Sequence, residues 1–263
     1  MDYQDLILEK QGPIAIVTLN VPQKLNALSS AMVTSIGQVT KDLAQDDEVR
    51  VVLLTGAGRG FCSGGDVTGF VNPSRSATPR FTRIQSTGYP ATDAFPSLNK
   101  PVIAAINGPC AGGGLSLALS CDIRIASETA RFGASQVTRG LVPDMGMTMY
   151  LPMIAGVSNA FKMMYTGELI DAKTAKEIGI VSQVVSGDKL MPTVMELANQ
   201  IALNPPYSLE LTKLMVWRGR LNSLRRQADL ETWALNICFA TEDHLASARA
   251  FMNKLPPPKY QGR

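Results

Sequence analysis

Two short stretches of this 263-residue chain gather residues that could do chemistry through the backbone. Residues 56–66 read GAGRGFCSGGD, five glycines in eleven, and residues 107–114 read NGPCAGGG. Each follows an apolar, β-forming run, Arg50–Thr55 and Val102–Ile106, and the second opens into the helical run LSLALS. A strand ending in a glycine-rich turn exposes main-chain N–H groups with no side chain in the way. Two such turns brought together would aim two donors at one oxygen, which suits a carbonyl becoming an enolate. The same glycines could simply permit tight turns and close packing. Phosphate cradles fit less well. GAGRG brings its third glycine one residue early for G-x-G-x-x-G, and behind the P-loop-like spacing of Gly60 and Gly65 stands Asp66 instead of lysine.

The carboxylate best placed for acid–base work is Asp144, in GLVPDMGM. An aspartate after Pro143 and before an apolar run is also a natural helix cap, so both roles stay open. Asp122, between a helix and a strand, reads as structural, and Asp171 reads as the cap of AKTAKEIG. The single histidine, His244, falls on the last helix. Cys62, Cys110, Cys121 and Cys238 form no CxxC pair, so neither a zinc site nor a disulfide framework is expected, and no metal is assigned. Free thiols in a reducing compartment, with no export signal in MDYQDLILEK, point to the cytoplasm.

The elements that must position these groups are legible as patterns. DLILEK-QG-PIAIVTLN reads as a hairpin, and Ser29 or Ser30 can cap a helix carrying Met32, Ile36, Val39 and Leu43. Residues 70–100 hold four prolines and no clean period, and read as a mobile loop with a broken helix that includes Arg75, Arg80 and Arg83. Helices are expected at 146–165, 171–179, 188–203, 206–217, 221–240 and 243–254, with a strand at Ile180–Val185. Residues 101–121 carry no charge but include two prolines and four glycines, so they read as strand, turn and buried helix instead of a membrane span. A net charge of +3 without a dense basic run argues against nucleic acid. The outcome is an α/β protein with a core over 1–195 and a helical C-terminal region over 196–263.

Seven segments stand in the order of one family: PQKLNAL (22–28), LTGAGRGFCSGGD (54–66), KPVIAAINGPCAGGG (100–114), LSLALSCDIRIAS (115–127), ARFGASQVTRGLVPDMGMTMYLP (130–152), TGELIDAKTAKEIGIVSQVV (166–185) and ARAFMNKLPPPKY (248–260). Over essentially its whole length the chain resembles the enoyl-CoA hydratase/isomerase (crotonase) superfamily. The resemblance implies a crotonase-like spiral of repeated ββα units, a C-terminal helical trimerisation region giving a homotrimer or dimer of trimers, and an acyl-CoA thioester substrate. It places the oxyanion donors at the N–H groups of Ser63 and Gly113. It puts coenzyme A near Lys24, Leu25, Gly64, Gly65 and Asp66, with Lys254 and Lys259 approaching from the tail, from a neighbouring subunit if not their own. Coenzyme A is part of the substrate, and no separate cofactor is implied.

The hydratases in this family use two glutamates on the added water; the matching positions here are Ser116 and Gln136, read as substrate-pocket residues with Pro143. Neither is a useful general base at neutral pH. Asp144 matches the aspartate of the dienoyl-CoA isomerase and epoxyphenylacetyl-CoA isomerase branches. The resulting expectation is an acyl-CoA double-bond isomerase, 3-enoyl to 2-enoyl, with Asp144 as proton shuttle. The alternatives are an enoyl-CoA hydratase, a related hydrolase or ring isomerase, and a catalytically silent acyl-CoA-binding subunit.

Overall fold

The computed structural model describes residues 3–66, 91–220 and 222–263. Most of the irregular 70–100 segment, with Arg75, Arg80 and Arg83, lies outside the described residues. Its described end holds one short helix, α2 (Ala94–Ser97), after the first helix, α1 (Ser30–Ala44). The strands are β1 (Leu6–Gln11), β2 (Ile14–Leu19), β3 (Val51–Gly56), β4 (Val102–Ile106), β5 (Cys110–Ala111), β6 (Ile123–Ser127), β7 (Arg131–Gly133), β8 (Leu169–Asp171) and β9 (Gln183–Val185). Six of them form one sheet in the order β1-β2-β3-β4-β6-β9, and β5-β7-β8 form a second. β1 and β2 make the expected hairpin, and from β2 onward the large sheet is parallel.

Parallel strands covered on both faces read as continuous apolar runs because both sets of alternating side chains are buried. Here Ala15, Val17, Leu19, Val52, Leu54, Val102 and Ala104 join one core, with Met32, Ile36, Val39 and Leu43 of α1. Ile14, Ile16, Val51, Leu53, Ile103 and Ala105 join the other, against Leu190, Val194 and Ala198 of α7 (Leu190–Ala202). Ser29, not Ser30, caps α1, accepting from the Met32 N–H at 3.0 Å. Its far end is closed by Lys100, whose ammonium donates to the Leu43 and Asp46 carbonyls, both at 2.5 Å.

The remaining helices are α3 (Gly113–Leu119), α4 (Met147–Ala155), α5 (Val157–Thr166), α6 (Ala172–Glu177), α8 (Pro206–Gly219), α9 (Leu224–Phe239) and α10 (Glu242–Met252). Three expectations need correction. The single helix expected at 146–165 is two, because Gly156 adopts φ +79°, ψ 154° and turns the chain between α4 and α5. The strand expected from Ile180 starts at Gln183, since the Ile180 carbonyl is taken by Arg124 Nε at 2.6 Å. The helical region set apart from the sheet starts after α7, not at 196, because α7 runs unbroken across that point and packs on the sheet. Asp171 caps α6 as expected, accepting from Thr174 N–H at 2.8 Å.

The helices α8 and α9 pack on each other through Leu211, Met215 and Ala234. A buried polar cluster fixes α8 to the core. Asp122 accepts from Lys213 Nζ at 2.9 Å, Trp217 Nε1 at 2.6 Å and the Val102 N–H at 2.8 Å. This is the structural role expected of Asp122. Among the described residues no helix is long and apolar enough to cross a membrane.

Candidate active site

The turns after β3 and β4 lie side by side because their backbones bond directly. Cys62 N–H donates to the Pro109 carbonyl at 3.0 Å and Ala111 N–H donates to the Cys62 carbonyl at 3.0 Å. Two asparagine anchors shape the first turn. Asn26, fully buried, gives its amide to the carbonyls of Ala57 and Gly60, and Asn107 gives its amide to Gly56 and Gly58. Contact between the turns leaves no room for side chains. A Cβ on Gly114 would lie 2.2 Å from the Cys62 carbonyl oxygen, a main-chain atom that cannot step aside. Gly114→Ala is therefore expected to cost about 3 kcal/mol or more of stability, read as a lowered urea midpoint.

Ser63 is not the donor that the family pattern suggested. Its N–H is already bonded to the Leu25 carbonyl at 2.9 Å. Two residues on, the pattern reverses. Leu28 pairs with this strand through the Gly64 carbonyl (2.7 Å) and the Asp66 N–H (3.0 Å), so the intervening Gly65 N–H faces the other way. It donates to no described residue. Gly113, the first residue of α3, likewise has an N–H with no intrahelical partner and none among the described residues. The Gly65 nitrogen lies 3.9 Å from the point where a Gly113 side chain would begin, so the two free N–H groups share one wall. Gly64, at φ +103°, and Gly112, at φ +53°, supply the backbone reversals that put them there.

Asp144 stands beside this wall. Its carboxylate caps no helix: α4 begins three residues later, with Gly146 at the cap position and no side-chain bond. The Asp144 side chain is exposed, and its Oδ1 accepts from Gln136 Nε2 at 3.4 Å. Its carbonyl accepts from the Ser116 hydroxyl at 2.9 Å. Met145, next in the chain, holds φ +51° and brings its sulfur to 3.1 Å from the Cβ position of Gly113. The structure thus brings together Gly65, Gly113, Ser116, Gln136 and Asp144. Ser116 and Gln136 are buried, Ser116 completely, so they lie beneath the surface here instead of forming an open pocket wall. Pro143 is half-buried in the same loop.

A scan against protein families matches residues 9–263 to the enoyl-CoA hydratase/isomerase family. The chain belongs to the enoyl-CoA hydratase/isomerase family. Among its relatives is the short-chain-enoyl-CoA hydratase of Clostridium acetobutylicum, 38% identical over 97% of each chain. The 1,2-epoxyphenylacetyl-CoA isomerase of Escherichia coli is 35% identical, over 93% of this chain and 94% of that one. The crystal structure of enoyl-CoA hydratase subunit I from Geobacillus kaustophilus superposes with a TM-score of 0.92 at 34% identity, covering all of both chains. The α/β architecture of this hydratase/isomerase family member is thus that of its structural relatives.

Other residues expected at the site fall in two groups. Lys24 lies against the first turn, its ammonium 2.8 Å from Asp66 Oδ2, and Leu25 precedes Asn26 with both in left-handed backbone. Lys254 and Lys259 are not brought to this site within one chain. The tail instead folds toward the opposite end of the sheet, where Arg50, just before β3, donates to the Tyr260 carbonyl at 3.0 Å. The carboxylate of buried Asp243 accepts the N–H groups of Gln261 and Gly262, each at 2.7 Å. His244 packs on Phe239, with ring centres 4.9 Å apart, and takes no part in the cluster. The Gly65 donor escaped the sequence reading because it depends on which way one N–H faces, which only the Leu28 pairing decides.

Proposed function

We propose that this protein is an acyl-CoA enzyme that holds a thioester carbonyl between the N–H groups of Gly65 and Gly113 and moves protons with Asp144. The observation that carries the reading is two unspent backbone donors on one wall beside a single exposed carboxylate. Binding the thioester oxygen stabilises the enolate and so acidifies the protons at C2. Asp144 takes a proton from C2 of a 3-enoyl-CoA, and the same carboxyl returns it at C4, leaving the conjugated 2-enoyl-CoA. The double bond moves and no atom is gained or lost. The relative named as an isomerase supports this reading.

Hydration is the second reading, and the relatives named as hydratases favour it. Asp144 would then accept a proton from water as the water oxygen bonds to C3, and deliver that proton to C2. The decisive comparison follows 3-hexenoyl-CoA isomerisation and crotonyl-CoA hydration by ultraviolet absorbance. Isomerisation is expected to be the faster. Brisk hydration without isomerisation would replace the first reading with the second. Acyl-CoA binding without either reaction, and without exchange of C2 protons, would leave a silent binding subunit.

In this proposal the coenzyme A phosphates lie near Lys24 and the 61–66 turn, with Lys254 and Lys259 supplied by a neighbouring subunit of a homotrimer or dimer of trimers. The exposed Val157, Tyr165 and Leu169, and Phe251 and Met252 on the last helix, support burial against further copies. A cytoplasmic location is part of the same reading. Lys24→Ala is expected to raise KM for the acyl-CoA several-fold with kcat nearly unchanged, since a removed phosphate contact weakens ground and transition states alike.

A further inference from the structure

We infer that Ser116 and Gln136 are positioning residues that clamp Asp144 against the Gly65–Gly113 pair; this rests on the proton-transfer role proposed for Asp144. The clamp grips Asp144 by two different handles. Ser116 sits in the first turn of α3, three residues after Gly113, and its hydroxyl holds the Asp144 main-chain carbonyl at 2.9 Å. The helix that carries one backbone donor therefore also fixes the height of the Asp144 backbone. Gln136 lies at the head of the turn after β7 and holds the carboxylate itself, Nε2 to Oδ1, at 3.4 Å. Such contacts are often long before substrate arrives and tighten in the complex.

Three observations favour a positioning role over simple packing. Gln136 is 8% exposed, yet its Oε1 is buried with no hydrogen-bond partner among the described residues. A glutamine kept for structure would have both ends satisfied, and an apolar residue of similar size would fill the space without the desolvation cost. One end of Gln136 is spent on Asp144 and the other is left unsatisfied. Ser116 is completely buried, and the partner of its hydroxyl is again Asp144. Met145 at φ +51° shows that the segment is held in a conformation a non-glycine residue avoids, with its sulfur packed over Gly113. The clamp and the Met145 contact together fix where the carboxylate stands relative to the two N–H groups.

The test measures exchange of the C2 protons of bound butyryl-CoA with deuterated solvent, and butyryl-CoA affinity, for wild type, Ser116→Ala, Gln136→Met and Asp144→Glu. Thermal midpoints report folding, and Gln136→Met keeps the test alive should Ser116→Ala fail to fold. Each clamp variant is expected to exchange roughly tenfold more slowly, with its dissociation constant within about twofold of wild type, as misplacement of a base predicts. In the Asp144→Glu background, where the carboxylate is already displaced, the same substitutions should cost less than about threefold. Equal losses in both backgrounds, or no loss in either, would overturn the clamp. Absence of exchange in wild type, or undiminished exchange in Asp144→Asn, would overturn the proposed function itself. That result is distinct from one in which Asp144 matters and its clamp does not.

Discussion

Asp144→Asn is expected to slow isomerisation and C2-proton exchange by about a hundredfold or more while leaving the protein folded. Asparagine keeps the shape of aspartate and can still accept from Gln136, but it cannot take up a proton. The neighbouring polar groups cannot stand in, because a hydroxyl and a neutral amide are not bases at neutral pH. Stability should change by only about 0.5 kcal/mol, since the side chain is exposed and α4 draws no cap from it. The measurement pairs rate with melting temperature. An unchanged rate would place the base elsewhere; a collapsed midpoint would mean that the aspartate is holding the loop instead of serving the substrate.

Asp122→Ala should produce the largest loss of stability, about 3–5 kcal/mol, because it strands a buried ammonium. The Lys213 side chain is 6% exposed and its charge is balanced by Asp122 at 2.9 Å. Its remaining contact, the Lys100 carbonyl at 2.8 Å, carries no charge. For a chain of this size the loss corresponds to a midpoint lower by on the order of 10 °C. Trp217 would lose its acceptor in the same step, freeing α8 from the end of the sheet. The deficit should depend on pH with a definite sign. Burial lowers Lys213 below a lysine's ordinary 10.5, and Asp122 opposes that fall. The unfolded chain therefore holds this proton more tightly than the folded one, so stability rises with pH as the folded lysine loses it. Without Asp122 the fall deepens, and the variant should regain stability as pH climbs toward 10.5. Pairing Asp122→Asn with Lys213→Met should recover part of the loss, since a methionine brings no charge to strand.

What could be read from the sequence follows the range of the forces involved. The apolar runs of β2, β3 and β4 and the spacing of Met32, Ile36, Val39 and Leu43 are local, and they specified strands and helix correctly. The cap at Asp171 was legible in the same way, and the cap of α1 was narrowed to Ser29 or Ser30. The split at Gly156 was missed because a glycine inside an apolar helical run is compatible with continuation, and its φ is decided by how α4 and α5 pack. The boundary after α7 was missed for a related reason: only contact with the sheet distinguishes that helix from those that follow. At the site, residue types announced the two turns and Asp144. Whether Ser63 or Gly65 offers its N–H was decided by pairing with Leu25 and Leu28, far from both along the chain. The union of the two turns likewise rests on main-chain pairing of Cys62 with Cys110, which no local pattern encodes.

On the proposed mechanism, the main-chain pairing of Cys62 with Cys110, whose thiols stay free, separates two tasks that many sites entangle. The groups that would receive the developing negative charge belong to the main chain, fastened strand to strand, whereas the proton carrier sits on a different loop joined to them by side chains. On that proposal, a change at 116, 136 or 144 would redirect where a proton goes without altering how charge on oxygen is accommodated. Seen as engineering material under that proposal, the scaffold would keep its electrophile-activating half beyond the reach of ordinary side-chain substitution, and would open its reaction-choosing half to three positions.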